Sequence, residues 1–514
     1  MLKFFRFLSV PSFVFLIPHL FSLSSFAAEP PGPRRAHIQD EIIVRFHEGV
    51  HEYNKALAHF DLGARAKKVF KTLRGLELVK LPPGLSVKEA LKLYQQHPDV
   101  LYAEPNYIVK ALVGPNDPRF GGLWGLHNTG QAGGTNDADI DAPEAWGITT
   151  GSSDVVVAVI DTGVDYNHQD LSTNMFRNEA DCNNNGVDDD GNGFVNDCHG
   201  IDTANDDSNP MDDHNHGTHV AGTIGAVGNN AIGVVGVNWD VSIMACKFLN
   251  ANGSGTTADA IDCLDYVKIM KDRGVNIVAT SNSWGGGGFS QALFDAIDAH
   301  RQRGILFIAA AGNDSSDNDT GPHYPSNYDL PNVISVAATT RNDVLASFSN
   351  FGRRTVHVGA PGSEILSTTR NNTYSTFSGT SMATPHVTGV AALLKAQDSG
   401  RDWRAIKNLI LAGGDNNPSM SNSITGKRLN ANGALICSNS TVLSRLRPIS
   451  DTITGSIGTP IDLAALHINC ADPNGNVSVT VDPGGQMVTL MDDGLGIDQA
   501  EGDGIYSGQW TPSA

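Results

Sequence analysis

A chain of 514 residues is too long for a single core and should divide into roughly two to four domains. With 40% hydrophobic and 18% charged residues it has the balance of a soluble globular protein. The formal net charge of −20 argues against nucleic acid or an anionic membrane as a partner and leaves room for bound cations.

The N-terminus has the pattern of a secretion signal over residues 1–27. Lys3 and Arg6 form a basic start, Phe7 to Leu23 is mostly apolar, and Ser25-Phe26-Ala27 offers small residues at a cleavage site. Pro11 and Pro18 interrupt the apolar stretch, which is short for a membrane anchor. No later segment is long and apolar enough to cross a bilayer, so the mature chain is expected to be exported without a membrane span.

Residues 28–112 begin with a proline-rich linker, Glu29 to Arg35, and continue as a small α+β domain. Strands are predicted at Ile42–Phe46, Leu76–Leu81 and Val100–Tyr107, and a helix at Glu52–Phe60. Ser86 and Glu89 form a capping box for a second helix.

From 113 to 436 apolar runs of strand length recur at Val155–Ile160, Val241–Cys246, Val275–Thr280, Ile305–Ala311 and Val333–Ala337. Helical patterns at Thr257–Met270 and Gln291–Arg301 separate some of them. Continuous apolar strands alternating with helices predict an α/β fold, a mostly parallel sheet covered by helices on both faces. Ligands bind such sheets at the carboxyl ends of strands, where Asp161 and Asn313 fall. Residues 437–514 lack clear helices and are rich in Gly, Asp, Thr and Val, which predicts a small β domain. The chain stops soon after its last strand-like stretch, Tyr506–Trp510, so this domain is expected to be incomplete or to need a strand from another chain.

The six cysteines suit an oxidising compartment. Cys182 with Cys198 and Cys437 with Cys470 are plausible partners. Cys246 in an apolar strand and Cys263 in a helical run are each candidates for a buried thiol.

Three separate segments carry the groups that nucleophilic acyl chemistry needs: Val-Ile-Asp-Thr-Gly around Asp161, His-Gly-Thr-His-Val-Ala-Gly from His216, and Gly-Thr-Ser-Met-Ala-Thr-Pro around Ser381. A serine hydroxyl is a weak nucleophile. It needs a neutral imidazole to take its proton and a carboxylate to orient and stabilise that imidazole. Singly, Asp161 is a strand cap, His216 with His219 a metal pair and Ser381 a helix N-cap. The His-Glu-x-x-His pattern of zinc peptidases is absent, and the three segments together favour catalysis. Ser381 opens the helical run Met382–Lys395, so its amide can help hold an oxyanion, and the Asn313 side chain offers a second donor.

These segments resemble the subtilisin-like serine peptidases, the subtilase family, over about 115–435. The resemblance implies a parallel-sheet core, endopeptidase activity on peptide or protein substrates, a triad of Asp161, His216 and Ser381, and Asn313 as oxyanion residue. It also implies that Ser283-Trp284-Gly285 is the edge that pairs with substrate backbone by strand addition. The domain at 40–110 is similar to subtilase propeptides, which assist folding and inhibit their own peptidase; the first cleavage would then fall near Tyr107 to Leu112. The alternatives are a permanent accessory domain and a non-catalytic binding or scaffold protein on a peptidase fold.

Calcium is the expected cofactor. Asp188, Asp190 and Asn192-Gly193 follow the start of an EF-hand loop, but His199 stands where the loop needs Glu. Asp202, Asp207, Asn209 and Asp212 resemble a calcium loop of some subtilases, and Asp117, Asp170 and Asn230 resemble another family site. Against all three stands a solvated acidic surface.

Overall fold

The computed structural model describes residues 5–6, 37–107, 114–451, 455–482 and 485–512. Nearly all of the expected secretion signal lies outside them, as do 108–112 of the expected first cleavage region. Two units emerge, Glu29–Ala111 and a larger one holding Leu112–Ala514.

The smaller unit is a four-stranded antiparallel sheet in the order 65–69, 76–80, 37–46, 100–107, with helices Glu52–Phe60 and Val87–Gln95. The second helix starts in the expected capping box: Ser86 accepts from the Glu89 N–H and the Glu89 carboxylate accepts from the Ser86 N–H. Ile42, Val44, Phe46, Val79, Ala90 and Tyr94 form its core. Strand Arg65–Val69 was not expected. Its sequence, Arg-Ala-Lys-Lys-Val, has no apolar alternation because it is an exposed edge, where lysines discourage pairing with other chains.

The larger unit is built on a nine-stranded sheet in the order 415–416, 427–428, 358–361, 333–339, 306–310, 277–282, 151–161, 240–247, 200–202. Every neighbouring pair is parallel except 415–416 with 427–428. The apolar runs became strands because both faces are covered. Helices His216–Gly225, Thr380–Gln397 and Trp403–Gly413 pack with Val157, Val159, Ile308 and Val336 on one face. Helices Thr257–Asp272 and Gln291–Gln302 pack with Val156, Ile160, Phe307 and Val333 on the other.

All six cysteines are bonded, as Cys182–Cys198, Cys246–Cys263 and Cys437–Cys470. The expectation of buried thiols at 246 and 263 is therefore corrected. Strand Asp240–Lys247 and helix Thr257–Asp272 face each other in one core layer, which brings the two Cα atoms to 5.8 Å.

Among the described residues beyond Cys437 the regular elements are strands. Thr441–Arg447, Ile461–Asn469, Asp472–Pro473 and Ile505–Trp510 form one sheet, and Val477–Val481 pairs with Gln486–Leu490. Val442, Leu466, Ile468 and Ala500 are buried in the same apolar cluster as the helices of the large sheet. The tail is thus packed onto the sheet domain through a hydrophobic contact.

Candidate active site

Asp161 is the last residue of strand Gly151–Asp161 and is fully buried. His216 is the first residue of helix His216–Gly225. Its Nδ1 lies 2.8 Å from Asp161 Oδ1, which also accepts the Thr162 N–H at 2.7 Å. The approach requires glycine next to the histidine: a Cβ at Gly217 would fall 2.1 Å from the Gly163 carbonyl and 3.1 Å from Asp161 Cβ. Burial pulls the His216 pKa down, but the charge and hydrogen bond of Asp161 outweigh it and hold it above the ordinary 6.5.

Ser381 is the second residue of helix Thr380–Gln397, where the N–H has no intrahelical acceptor. Its hydroxyl donates to the Ser283 carbonyl at 2.9 Å, and the Ser283 hydroxyl donates back to the Ser381 carbonyl at 2.8 Å. Asn313 follows strand Leu306–Ala310. Its Oδ1 accepts from the Thr380 N–H at 2.8 Å and hydroxyl at 3.0 Å, which fixes Nδ2 on the opposite side. A Cβ at Gly379 would sit 3.6 Å from both Asn313 Nδ2 and the Ser381 N. The two donors therefore border one small space, which glycine leaves open.

Ser283, Trp284 and Gly285 line a cleft of about 600 Å³ together with His216, Leu249, Ser254 and Tyr324. The Trp284 ring packs on Phe248 and Phe307, so this segment presents its backbone along the cleft from a fixed base. Gly285 is held by its neighbour, since a Cβ would meet the His323 ring at 2.1 Å. Gly286 N donates to the Tyr324 carbonyl at 2.9 Å.

His219 has a different role from His216. It is fully buried, stacks on Phe377, and its Nε2 lies 3.0 Å from the Ile365 carbonyl and 3.1 Å from that of Ser375. Burial pushes its pKa down to about 3, so it stays neutral.

Asp212, expected among calcium ligands, has its carboxylate surrounded by protein donors. Its carboxylate accepts from the Thr162 hydroxyl (2.9 Å), the N–H groups of His214 (2.8 Å) and Asn215 (3.0 Å), and the N–H and hydroxyl of Thr218 (3.0 and 2.5 Å). It ties the turn after Asp161 to the start of the His216 helix. Each orphaned buried donor costs about 1–3 kcal/mol, so Asp212→Ala should lose more than about 3 kcal/mol in denaturant unfolding. A calcium ligand would lose stability only when calcium is present; this hub should lose it in chelator as well.

The remaining acidic groups make the following contacts. Asp117 Oδ2 accepts the Asn229 N–H (2.8 Å), and Asp170 Oδ1 accepts the Asn230 side chain (2.8 Å). Both carboxylates are buried, and burial pushes Asp170 up to about 6. Asp188 caps the backbone of Gly191, Asn192 and Gly193. Asp190 and the fully buried Asp197 both accept from Asn178 Nδ2. His199 stacks on Tyr166 at 4.5 Å, with Nδ1 2.8 Å from the Phe176 carbonyl. Asp202 and Asp207 exchange backbone hydrogen bonds, and with Asn209 they line a cavity of about 1140 Å³ rich in aspartate.

Sequence reasoning missed three supporting residues. Thr162 accepts the Gly217 N–H at 2.9 Å, and Thr218 accepts the Asp165 N–H at 3.0 Å. Lys247, 1% exposed, donates to the Thr162 and Leu249 carbonyls and to Asp213. The two threonines stand inside the Asp161 and His216 motifs, so their position was the available signal. Nothing in an apolar strand ending in lysine marks Lys247.

Residues 152–427 match the model of the subtilase family. The chain belongs to the subtilase family. Residues 26–106 match the fervidolysin N-terminal prodomain, so this subtilase is a serine endopeptidase preceded by a prodomain. It is 36% identical over 370 residues to the thermophilic serine proteinase of Bacillus sp. strain AK1, covering 70% of this chain and 79% of that one. It is 36% identical over 283 residues to thermitase of Thermoactinomyces vulgaris, 55% of this chain and 86% of that one. Subtilisin-like protease 1 of Plasmodium berghei is 34% identical over 282 residues, and this subtilase spans 46% of its length. Among solved structures, a protease from Pseudoalteromonas arctica is 30% identical and superposes with a TM-score of 0.50, covering 63% of this chain and 99% of that one.

Proposed function

We propose that this subtilase is secreted as a precursor, cleaves its own prodomain, and hydrolyses peptide bonds with Asp161, His216 and Ser381 as its triad. The observation that carries the reading is the buried Asp161–His216 hydrogen bond opening onto the same cleft as Ser283, which holds the Ser381 hydroxyl. His216 Nε2 takes the Ser381 proton as Oγ bonds to the scissile carbonyl carbon, then returns it to the departing amine. Water repeats the sequence on the acyl-enzyme.

The resting bond from Ser381 to the Ser283 carbonyl fits this cycle. That carbonyl lies on the edge where a substrate strand would add, and an incoming backbone N–H competes for it. Substrate binding would then free the hydroxyl for His216. Oxyanion stabilisation comes from the Ser381 N–H and Asn313 Nδ2. Removing one such donor costs about 3–4 kcal/mol, so Asn313→Ala should lower kcat roughly 10²–10³-fold with KM little changed. An unaltered kcat in steady-state assays would remove Asn313 from the role.

Calcium is the proposed structural cofactor, held by Asp117, Asp170 and Asn230, by Asp188, Asp190 and Asn192, and by Asp202, Asp207 and Asn209. These groups supply the oxygen-rich chemistry that calcium takes. EDTA should lower the melting temperature of a Ser381→Ala chain by several degrees; an unchanged melt argues against all three sites. The whole reading is tested by a serine-directed fluorophosphonate: peptide mapping should place the label on Ser381, and terminal mass analysis of secreted protein should show the prodomain gone. A label elsewhere, or none on protein that cleaves casein, would overturn it.

A further inference from the structure

Among the described residues one group of three carboxylates, Asp492, Asp498 and Asp503, presents one oxygen each so that all lie within 4.8 Å of one another. They belong to the tail, in the loop between strands Gln486–Leu490 and Ile505–Trp510. Asp498 is 6% exposed and Asp503 1% exposed. Turn geometry explains part of the cluster. Asp492 accepts the N–H groups of Gly502, Asp503 and Gly504, Asp498 accepts that of Gly494, and Asp503 Oδ1 accepts that of Ile505.

Turn geometry leaves two things over. Asp503 Oδ2 is buried and no donor among the described residues reaches it, although such an oxygen is costly to desolvate without a partner. The local charge is also unbalanced. Lys407, fully buried on the facing helix Trp403–Gly413, acts on Asp503 through its charge but gives its hydrogen bond to the Pro331 carbonyl at 2.6 Å. Arg404 and Asp493, which also act on the group, offset each other. Three carboxylates and one ammonium leave two negative charges, which one divalent cation neutralises. Carboxylate oxygens within 4.8 Å of one another can share one hard cation, and an all-protein carboxylate cage suits calcium better than magnesium, which dehydrates reluctantly and keeps several waters.

The same loop meets the sheet domain. Gln499 donates to the Asp329 carbonyl at 3.0 Å, and its own carbonyl accepts from Arg301 at 2.8 Å. Ala500 is buried in the sheet domain's apolar cluster. We propose that Asp492, Asp498 and Asp503 bind a calcium ion that holds this loop, and through it the tail, against the sheet domain.

The test uses the full chain with Ser381→Ala to prevent autolysis. Equilibrium dialysis with radioactive calcium counts bound ions, with and without Asp498→Asn. One ion fewer per chain is expected in the variant. Melting separates lost binding from misfolding. In EDTA the variant should melt at or above its parent, because one repelling charge is gone, whereas added calcium should raise its melting temperature less. An equal calcium count overturns the proposal, as does a variant that melts lower than its parent by the same amount in EDTA and in calcium.

Discussion

Exchanging Ser381 for alanine is expected to lower kcat about 10⁶-fold, the scale seen when subtilisin loses its serine or histidine. The hydroxyl is the only proposed nucleophile, and its backbone is set independently of it. Thr380, the residue before it, is pinned by Asn313, and the Ser283 hydroxyl donates to the carbonyl of residue 381 whichever side chain stands there. The variant should therefore fold, keep its oxyanion donors and retain weak residual catalysis. It should also accumulate at precursor mass. Mass spectrometry of the expressed chain together with a peptide-hydrolysis assay checks both. Normal prodomain removal in the variant would mean that a separate protease carries out maturation.

Asp161→Asn should cost about 10⁴-fold in kcat and leave the fold intact. The position is 0% exposed, so no solvent compensates for the lost charge when His216 becomes cationic in the transition state. The Thr162 N–H requires an oxygen at the Oδ1 position, and an asparagine can supply it. The amide oxygen should then still face His216 Nδ1, so the imidazole keeps its orientation and the loss reports the charge. A pH profile gives an independent readout. The base must be neutral, so kcat/KM should rise with pH through the His216 pKa. Asp161 holds that pKa above the ordinary 6.5, which places the acid limb above it in the parent. In the variant the limb should move to lower pH. A loss under 100-fold with an unmoved limb would take Asp161 out of the triad.

The parallel sheet was legible because its strands are buried on both faces and so appear as unbroken apolar runs, such as Val155–Ile160. Arg65–Val69 was not legible, being a lysine-rich edge with no buried face. Likewise, short motifs carried the proposed catalytic groups, but only three dimensions showed what supports them. Asp212 sits in an aspartate-rich stretch, and composition alone cannot separate a carboxylate that receives five protein donors from one that faces a cation. Cys246 and Cys263 were obscure for a similar reason. A strand and the next helix bring them together, and neither residue's local sequence records which side it faces.

The bond between Cys437 and Cys470 closes a ring of chain around the start of the tail. Any cut inside that ring would leave both pieces covalently joined. A nicked molecule would then run at full size on a non-reducing gel and separate only after reduction. Cleavage on the far side of Cys470 would have no such tether. The backbone ladder between Ile505–Trp510 and Ile461–Asn469, apolar packing and the loop around Asp492 would then retain the released strands without a covalent link. The position of a scissile bond relative to the Cys437–Cys470 ring thus decides whether a cut leaves the tail covalently attached.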